Sequence, residues 1–377
     1  MIRKRYFFDG RTANAHFPGI GRYAVNLARA MSRQLAADEE LFVLRDPSQP
    51  VLFDGFENLE GRARILDLAV SPFSLAQQWA VPRLLRRYRA CVYHSPYLLM
   101  PVFPGVASVV TIHDLIPLLF PAESTGKARL FFRVALALAL RRASRVLVVS
   151  EATRRDLESL YGMAKGRIRV SLEGPAQGFG PATAEAIAAV RGHYGLPERY
   201  ALYLGSNKPH KNLDRLVQVW QTLDPTPFPL AIAGVVIPEH PLEGLASFSA
   251  SGTIRQLGRV DDEALPALYS GAEAFVFPSL YEGFGLPVLE AMACGAAVLC
   301  SHASSLPEVA GDAAVYFDPT DTDSMRSALR STLASPELLA SLRRKGLARA
   351  RLFTWDVAAA QTLEVYRELC VTTGKRG

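Results

Sequence analysis

Short runs of apolar residues alternate along the chain with stretches in which apolar residues recur at helical spacing. The runs at residues 108–112 and 145–149 predict buried strands, and the apolar repeat over residues 22–34 predicts an amphipathic helix. Ser150 stands where an N-cap is expected for a helix over Glu151–Tyr161. This alternation is typical of a parallel sheet with helices on both faces.

The same winding starts again in the second half of the chain. Strands are predicted at residues 200–204, 230–233, 254–257, 274–277, 297–300 and 313–317, and helices at residues 213–223, 263–269 and 287–294. The remainder is predicted to be helical from residue 322 to 369, with breaks near 335–336 and 353–354. We therefore expect an α/β protein of two doubly wound, Rossmann-like parallel-sheet domains facing a cleft, because such sheets bind ligands at the carboxyl ends of their strands.

A segment rich in glycine and proline separates the two halves. Residues 173–181 read EGPAQGFGP, with three glycines and two prolines in nine positions, which is typical of a linker. We predict a first Rossmann-like domain over residues 1–172, this linker over 173–181, a second Rossmann-like domain over 182–354 and a C-terminal helix over 355–377.

Composition narrows the class of protein. The chain has 377 residues, of which 49% are hydrophobic and 21% charged, enough for two apolar cores and unlike a disordered protein. Its four cysteines are too few for a disulfide-rich scaffold, and they lack the CxxC pair of a cysteine zinc site, so free thiols of an intracellular protein are expected. The longest uncharged stretch, residues 90–112, contains prolines and predicts strand, loop and strand rather than a membrane span. We expect a cytoplasmic protein.

Charge is divided unevenly along the chain. Residues 1–170 hold 25 Lys and Arg against 14 Asp and Glu, a net charge of +11, whereas the remainder holds 17 against 22, a net charge of −5. The basic half favours an anionic partner such as phosphates, an anionic lipid surface or nucleic acid. A solvated arginine-rich surface without a partner is the alternative.

The strongest constellation lies at residues 278–295, PSLYEGFGLPVLEAMACG. A buried strand runs into a glycine turn and a helix then opens near Pro287, so the backbone amides of Phe284, Gly285 and Leu286 are expected to face an anion. Glu282 and Glu290 lie eight residues apart, and their carboxylates are good acceptors for sugar hydroxyls. A tight turn with solvated glutamates is the alternative.

These residues resemble the E-x7-E signature of the retaining GT-B glycosyltransferases of family 4, also called glycosyl transferases group 1. The resemblance extends over nearly the whole chain and includes the O-antigen and lipopolysaccharide mannosyltransferases. It is carried by GIGRY at 19–23, TIHD at 111–114, GSNKPHKN at 205–212, SSLPEV at 304–309 and FTW at 353–355. It implies a C-terminal helix that crosses back to the first domain.

The resemblance implies roles for individual residues on the donor side. Glu290 would accept hydrogen bonds from the nucleotide ribose, and Glu282 would hold hydroxyls of the transferred sugar as a catalytic residue. The amides of Phe284, Gly285 and Leu286 would lie at the sugar and the diphosphate. Lys211 would neutralise the leaving diphosphate.

Further implied roles concern the diphosphate and the reacting sugar. Gly19 and Gly21 would let the first domain approach the phosphates, and His113 would hydrogen-bond the sugar as a catalytic residue. Ser206 stands where some members of the family carry arginine, so Lys208 or His210 is expected to assist Lys211. A solvated loop is the alternative for Lys208.

The implied reaction is transfer of a hexose from a nucleotide diphosphate sugar to a glycan or a polyprenyl-diphosphate-linked acceptor, with retention of configuration. Residues 111–118 resemble those of mannosyltransferases and favour GDP-mannose, with a UDP- or dTDP-sugar as the alternative donor. A sugar-nucleotide epimerase and a basic nucleic-acid-binding module remain rivals of other classes, although we expect no nucleic acid as partner. No metal and no other cofactor is expected, because Lys211, the turn amides and the helix dipole can carry the diphosphate charge. The D-x-D at residues 321–323 is interpreted as a helix N-cap and not as a metal site.

A basic and apolar segment predicts contact with a membrane. Residues 127–145 carry Lys127, Arg129 and Arg133 around an apolar centre with Leu130, Phe131 and Phe132, and a second basic cluster lies at residues 83–89. Such a segment suits an anionic lipid headgroup, so we expect a peripheral enzyme on the inner face of the membrane. A helix packed on the sheet is the alternative.

Overall fold

The computed structural model describes residues 3–14, 18–50, 55–224, 228–235, 237–238, 240 and 252–373. The chain divides into two compact units. The first unit contains Met1–Gly174 together with Thr354–Gly377, and the second contains Pro175–Phe353.

The first unit is built on a parallel sheet. In the described part of this unit, seven strands follow the order β3-β2-β1-β4-β5-β6-β7, and every neighbouring pair is parallel. They are β1 (Lys4–Asp9), β2 (Glu39–Arg45), β3 (Ala63–Asp67), β4 (Val92–Ser95), β5 (Ala107–Ile112), β6 (Arg145–Val148) and β7 (Ile168–Val170). The helices that connect them are α1 (Pro18–Arg33), α2 (Gln77–Arg87), α3 (Ile116–Leu119), α4 (Gly126–Arg142) and α5 (Glu151–Tyr161). The strand, loop and strand predicted for residues 90–112 are confirmed.

Two local predictions in this unit have different outcomes. Ser150 accepts the amide of Thr153 at 3.0 Å, which confirms it as the N-cap of α5. The first helix begins at Pro18, four residues before the predicted start. Proline fits the first turn of a helix because its missing N–H has no intrahelical partner there. Gly19 and Gly21, which the predicted start at residue 22 leaves outside the helix, therefore lie inside its first turn.

The second unit repeats the architecture. Among its described residues six parallel strands follow the order β10-β9-β8-β11-β12-β13. They are β8 (Ala201–Leu204), β9 (Leu230–Ala233), β10 (Ile254–Gly258), β11 (Ala274–Phe277), β12 (Ala297–Ser301) and β13 (Ala314–Phe317). The helices are α6 (Ala184–Tyr194), α7 (Leu213–Gln221), α8 (Leu265–Ser270), α9 (Leu286–Ala293), α10 (Leu306–Ala310), α11 (Thr322–Leu333) and α12 (Pro336–Ala350). The two doubly wound parallel sheets confirm the predicted fold class.

The C-terminal helix α13 (Trp355–Thr373) belongs to the first unit and packs against α1. Arg33 at the end of α1 donates to a carboxylate oxygen of Asp356 at 2.7 Å. Nearer the C-terminus, Arg367 donates to both carboxylate oxygens of Glu39 on β2 at 2.7 and 2.9 Å. The expected return of the last helix to the first domain is confirmed.

The returning helix also joins two cysteines. Cys370 on α13 forms a disulfide with Cys91, directly before β4, across a sequence separation of 279 residues. Cys294 and Cys300 are free and buried. The expectation of free thiols is therefore wrong for Cys91 and Cys370, because tertiary packing brings together cysteines that show no pairing in the sequence.

Candidate active site

The glycine turn of the second unit connects β11 to α9. Gly285 adopts a φ of 106°, and a Cβ atom there would lie 2.7 Å from Cδ2 of Leu306. The positive φ favours glycine at this position, and a larger residue would also have to displace the buried Leu306 side chain. The first amides of an α-helix have no acceptor within the helix, so the turn presents N–H groups from Phe284, Gly285 and Leu286 at the start of α9. This backbone can receive an anion.

Two serines outside the motif hold the turn in place. The amide of Glu282 donates to Oγ of Ser304 at 2.8 Å, and Oγ of Ser305 donates to the carbonyl of Phe284 at 2.7 Å. Both serines precede α10, and Ser305 is fully buried. They lie outside the constellation at residues 278–295, and in the sequence they are marked only as part of SSLPEV at 304–309, which carries the family resemblance. Their role in supporting the turn emerges from the contacts.

Lys211 and Glu282 meet beside the turn. Lys211 ends a short 3-10 turn, Pro209–Lys211, that follows β8, and its Nζ lies 2.8 and 3.0 Å from the two carboxylate oxygens of Glu282. The Lys211 ammonium also lies 5.4 Å from the centroid of the Phe277 ring. Asn212 supports this geometry, since its Nδ2 donates to the carbonyl of Pro278 at 3.1 Å. The structure thus brings the predicted phosphate-binding cation, Lys211, into contact with the predicted sugar-binding carboxylate, Glu282.

Glu290 lies one turn inside α9 and is 3% exposed. The hydroxyl of Tyr269 lies 3.4 Å from its Oε2. Burial, reinforced by the charge of Glu290, raises the pKa of the neighbouring Cys294 thiol to about 12. Cys294 is therefore an uncharged thiol, and the hydrogen-bond acceptor that this part of α9 offers is the carboxylate of Glu290.

The other candidates of the second unit differ in exposure. The backbone carbonyl of Ser206 accepts a hydrogen bond from the Tyr203 hydroxyl at 2.7 Å. His210 is 4% exposed, and its carbonyl accepts the amide of Leu280 at 2.7 Å. Lys208 is exposed. Of the two helpers considered for Lys211, Lys208 is thus the one whose side chain reaches solvent.

His113 follows β5 in the first unit, at the carboxyl end of the strand as predicted. Its Nε2 lies 2.8 Å from the carbonyl oxygen of Pro96, so this nitrogen carries a proton. Its Nδ1 lies 3.4 Å from Oε1 of Glu173, which is buried, and the Tyr23 ring packs edge-on at 4.7 Å. Glu173 was predicted only as the start of a linker, and its role beside His113 was missed because 60 residues separate the two.

Gly19 and Gly21 differ within the first turn of α1. A Cβ atom on Gly19 would meet no heavy atom within 4 Å, and this residue is exposed. A Cβ atom on Gly21 would lie 3.3 Å from the Ala13 Cα. Gly21 therefore permits close backbone packing, whereas Gly19 leaves open space at the helix start.

A buried chain of hydrogen bonds lies behind His113. His94 contacts Thr111 through Nε2 at 2.8 Å and the Tyr366 hydroxyl through Nδ1 at 2.6 Å, while Thr111 also contacts the Tyr23 hydroxyl at 3.1 Å. Burial, followed by the charge of His113, lowers the pKa of His94 to about 3. His94 is thus a neutral structural histidine that links β4 and β5 to α13.

The D-x-D segment is a helix cap. Asp321 accepts the amides of Asp323 and Ser324 at the start of α11, at 2.9 and 3.2 Å, as predicted. Within the described ranges, no cluster of three or more His, Cys, Asp or Glu side chains is arranged to hold a metal ion.

Two doubly wound parallel sheets, with a lysine–glutamate pair at a glycine turn, are the arrangement that the resemblance to GT-B glycosyltransferases implies. Residues 18–172 match Glycosyltransferase Family 4, and residues 193–349 match Glycosyl transferases group 1. O-antigen chain mannosyltransferase B of Escherichia coli is 32% identical over 374 residues, which cover 93% of this chain and 96% of that protein. The chain belongs to the family 4, or group 1, glycosyltransferases, which are retaining hexosyltransferases.

Solved structures show the same fold. Sucrose-phosphate synthase from Thermosynechococcus elongatus superposes with a TM-score of 0.75 at 23% identity, covering 98% of this chain and 100% of that chain. HepE of Anabaena, in complex with UDP and glucose, superposes with a TM-score of 0.74 at 17% identity, covering 97% and 100%.

Proposed function

We propose that this glycosyltransferase moves mannose from GDP-mannose to a glycan or lipid-linked oligosaccharide during synthesis of a cell-surface polysaccharide. The observation that carries the proposal is the 32% identity to an O-antigen chain mannosyltransferase across 93% of the chain. Similarity over nearly the full length includes both units, so it covers the donor and the acceptor sides alike.

On the donor side, the second unit would bind the nucleotide diphosphate sugar. Glu290 would accept hydrogen bonds from the ribose, and Glu282 from the hexose. The amides at Phe284–Leu286 and the ammonium of Lys211 would face the diphosphate. Lys211 then exchanges one carboxylate contact with Glu282 for phosphate oxygens, so its positive charge is already held in place when the glycosidic bond breaks.

The reaction that fits these groups is a front-face displacement. Glu282 is ion-paired with Lys211 and is assigned to the hydroxyls of the hexose, so we propose no carboxylate as a glycosidase-like nucleophile. The leaving diphosphate would instead accept the proton of the acceptor hydroxyl as the new bond forms on the same face. Lys211, the turn amides and the α9 dipole would stabilise the leaving charge without a metal.

The first unit would supply His113, with Lys208 of the second unit assisting Lys211 at the diphosphate. To reach a sugar hydroxyl, the His113 ring would give up one of its present partners. The contact of Nδ1 with Glu173, at 3.4 Å, is longer than that of Nε2 with Pro96, at 2.8 Å, so Nδ1 is the nitrogen that would turn to the sugar. Gly19 at the open start of α1 would let the backbone approach phosphates, with Gly21 fixing the packing of that turn.

The acceptor sets the expected location of the enzyme. A polyprenyl-diphosphate-linked acceptor would place the protein at the cytoplasmic face of a membrane as a peripheral enzyme. None of the helices within the described ranges combines the length and the apolar composition needed to cross a bilayer.

The proposal is tested by a thermal-shift panel of GDP, UDP, dTDP and ADP, each with and without EDTA, followed by assays with the matching radiolabelled donor. At 100 times its Kd, the right nucleotide stabilises by about 2.7 kcal/mol. A shift with GDP that persists in EDTA, and transfer from GDP-mannose, is the expected result. A selective shift with UDP or dTDP would overturn the mannose assignment, and conversion of the donor sugar without an acceptor would indicate an epimerase.

A further inference from the structure

A cavity of about 560 Å³ opens on the first unit. Neither His113 nor the first turn of α1 lines this cavity. Three segments form it: residues 72–79 leading into α2, residues 98–103 after β4, and one side of α4. Its walls are dominated by apolar side chains, with Phe73, Trp79, Phe103, Phe131 and Val134 among them. We call this feature the apolar groove.

The groove is already formed in the protein. Gln78 accepts the amide of Val102 at 2.8 Å, which joins the first two walls. The rings of Phe73 and Phe131 stack with centroids 6.4 Å apart, which joins the first wall to α4. The buried Arg11, paired with Asp9, donates at 2.6 Å to the carbonyl of Val70, two residues before the first wall. These contacts fix the loop that carries the exposed aromatic residues.

Helix α4 is apolar on two opposite sides. Phe132, Leu136 and Leu140 are buried in the core, whereas Leu130 is 61% exposed, Phe131 52% and Val134 51%. Phe132 therefore does not belong to the exposed group that the sequence predicted. The apolar side of a helix is normally covered by other parts of a protein. The exposed side of α4, with Leu130, Phe131 and Val134, therefore favours contact with an apolar partner.

The remaining walls add to this surface. Leu75 is 76% exposed, Trp79 69% and Phe103 67%. Adjoining apolar side chains that are this exposed mark an interaction surface rather than scattered surface residues.

The partner must also be anionic. Residues 72–103 and 126–142 together contain nine Lys and Arg and no Asp or Glu. The Arg142 guanidinium lies 4.2 Å from the centroid of the Phe103 ring, at the edge of the groove. Helical spacing also places Arg83 and Arg86 on the exposed side of α2 that carries Trp79. Arg129, also predicted to meet a lipid headgroup, donates to the carbonyl of Pro121 through one guanidinium nitrogen at 3.2 Å.

We propose that the apolar groove with its arginine rim is a docking site for an anionic lipid bilayer. The exposed aromatic and leucine side chains enter the interfacial region, the groove takes up lipid hydrocarbon, and the arginines bind lipid phosphates. A second copy of this chain fits poorly, because the same basic rims would face one another. The site is independent of the donor sugar and goes beyond the proposed reaction.

The fluorescence of Trp79 gives a direct test. The chain has three tryptophans, and Trp220 and Trp355 are 0% and 9% exposed, so Trp79 is the one that reaches solvent. The protein is mixed with vesicles of phosphatidylglycerol and phosphatidylcholine whose acyl chains carry bromine, a short-range quencher. We expect sedimentation with the vesicles and quenching that is lost in Trp79→Phe, while vesicles of phosphatidylcholine alone give neither.

Matched variants distinguish binding through the apolar groove from non-specific adsorption to vesicles. Leu130→Glu is expected to weaken vesicle binding about tenfold or more, whereas Leu160→Glu, at a 51% exposed leucine on α5, leaves it unchanged. Arg86→Gln is expected to weaken binding about fivefold, and less at high salt. Thermal midpoints and nucleotide binding of all variants are measured alongside, so that a failure of the proposed donor chemistry is distinguished from a failure of docking.

Three outcomes would overturn the proposal. The first is equal binding to neutral and anionic vesicles, and the second is sedimentation without quenching of Trp79, which would place the contact elsewhere. The third is the absence of vesicle binding. That result would overturn the proposal even if a second copy of the chain or an acidic protein segment were found to cover the groove.

Discussion

Nζ of Lys211 lies 2.8 and 3.0 Å from the two carboxylate oxygens of Glu282, 71 residues further along the chain. The side chains are 19% and 10% exposed, so the pair is largely shielded from water. Each partner holds the other in a single position beside the glycine turn. The proposed phosphate-binding cation and the proposed sugar-binding carboxylate are thus ordered before any ligand arrives.

The first prediction separates stability from activity at this pair. Lys211→Met is expected to destabilise the second unit by about 1–3 kcal/mol, because it leaves a mostly buried carboxylate without its counterion. The double variant Lys211→Met, Glu282→Gln regains most of that stability but remains inactive. Denaturant titrations and transfer assays on the two variants check this, and an active double variant would remove both residues from the proposed site.

The second prediction concerns the ribose. Glu290→Gln keeps the shape of the side chain but exchanges a charged acceptor for a neutral one, so nucleotide binding is expected to weaken roughly 30-fold. Isothermal titration with GDP measures the change. Glu263→Gln, an exposed glutamate of the same unit, is the control and should bind as the parent does.

The third prediction concerns His113. His113→Ala is expected to lower kcat about 10- to 100-fold with little effect on nucleotide affinity, because the loss falls on a contact to the reacting sugar. Glu173→Gln, which keeps a hydrogen-bond acceptor beside the ring, should lower kcat less. Steady-state kinetics at saturating donor decide the matter, and an unchanged kcat in His113→Ala would contradict the assignment.

The fourth prediction is a pH dependence of the first unit. Burial alone would raise the pKa of Glu39, but hydrogen bonds from Arg367, the Ala36 amide and Tyr6 outweigh it and lower the pKa from 4.5 to about 2. A lowered carboxyl pKa stabilises the fold above pH 4.5, and this contribution is lost as the pH falls from 4.5 towards 2. Melting curves between pH 7 and 3 should show a steeper acid loss in the parent than in Glu39→Gln.

The fifth prediction tests the disulfide between Cys91 and Cys370. Because it closes a long loop and ties α13 to the first unit, its reduction is expected to lower the thermal midpoint of that unit by roughly 5–10 °C. The variant Cys91→Ser should show the lower midpoint and no response to dithiothreitol. Peptide mapping without reductant checks the pairing itself, and two free thiols would refute it.

Much of the fold follows from local pattern. Strands such as Ala274–Phe277 and helices such as α5 are marked by continuous apolar runs and by caps, which depend on residues close together in the chain. The start of α1 was predicted too late, because two glycines weigh against a helix in sequence terms while Pro18 at the first position and packing on Ala13 favour it here. Several elements were not predicted, among them β2, although residues 41–44 form an apolar run, and α2, whose interior contains Pro82.

The sequence by itself determined the class of fold and, through their spacing around a glycine turn, the candidates Glu282 and Glu290, because these are local properties. Lys211 became one of these candidates only through the family resemblance. Only the tertiary structure decided which of them touch, that Glu173 lies beside His113, and that Cys91 pairs with Cys370. It also decided that one apolar side of α4 stays uncovered, which the sequence cannot reveal because apolar residues lie on both sides of this helix. These are contacts between residues far apart in the chain, and they exist only because the sheets and the returning helix bring them together.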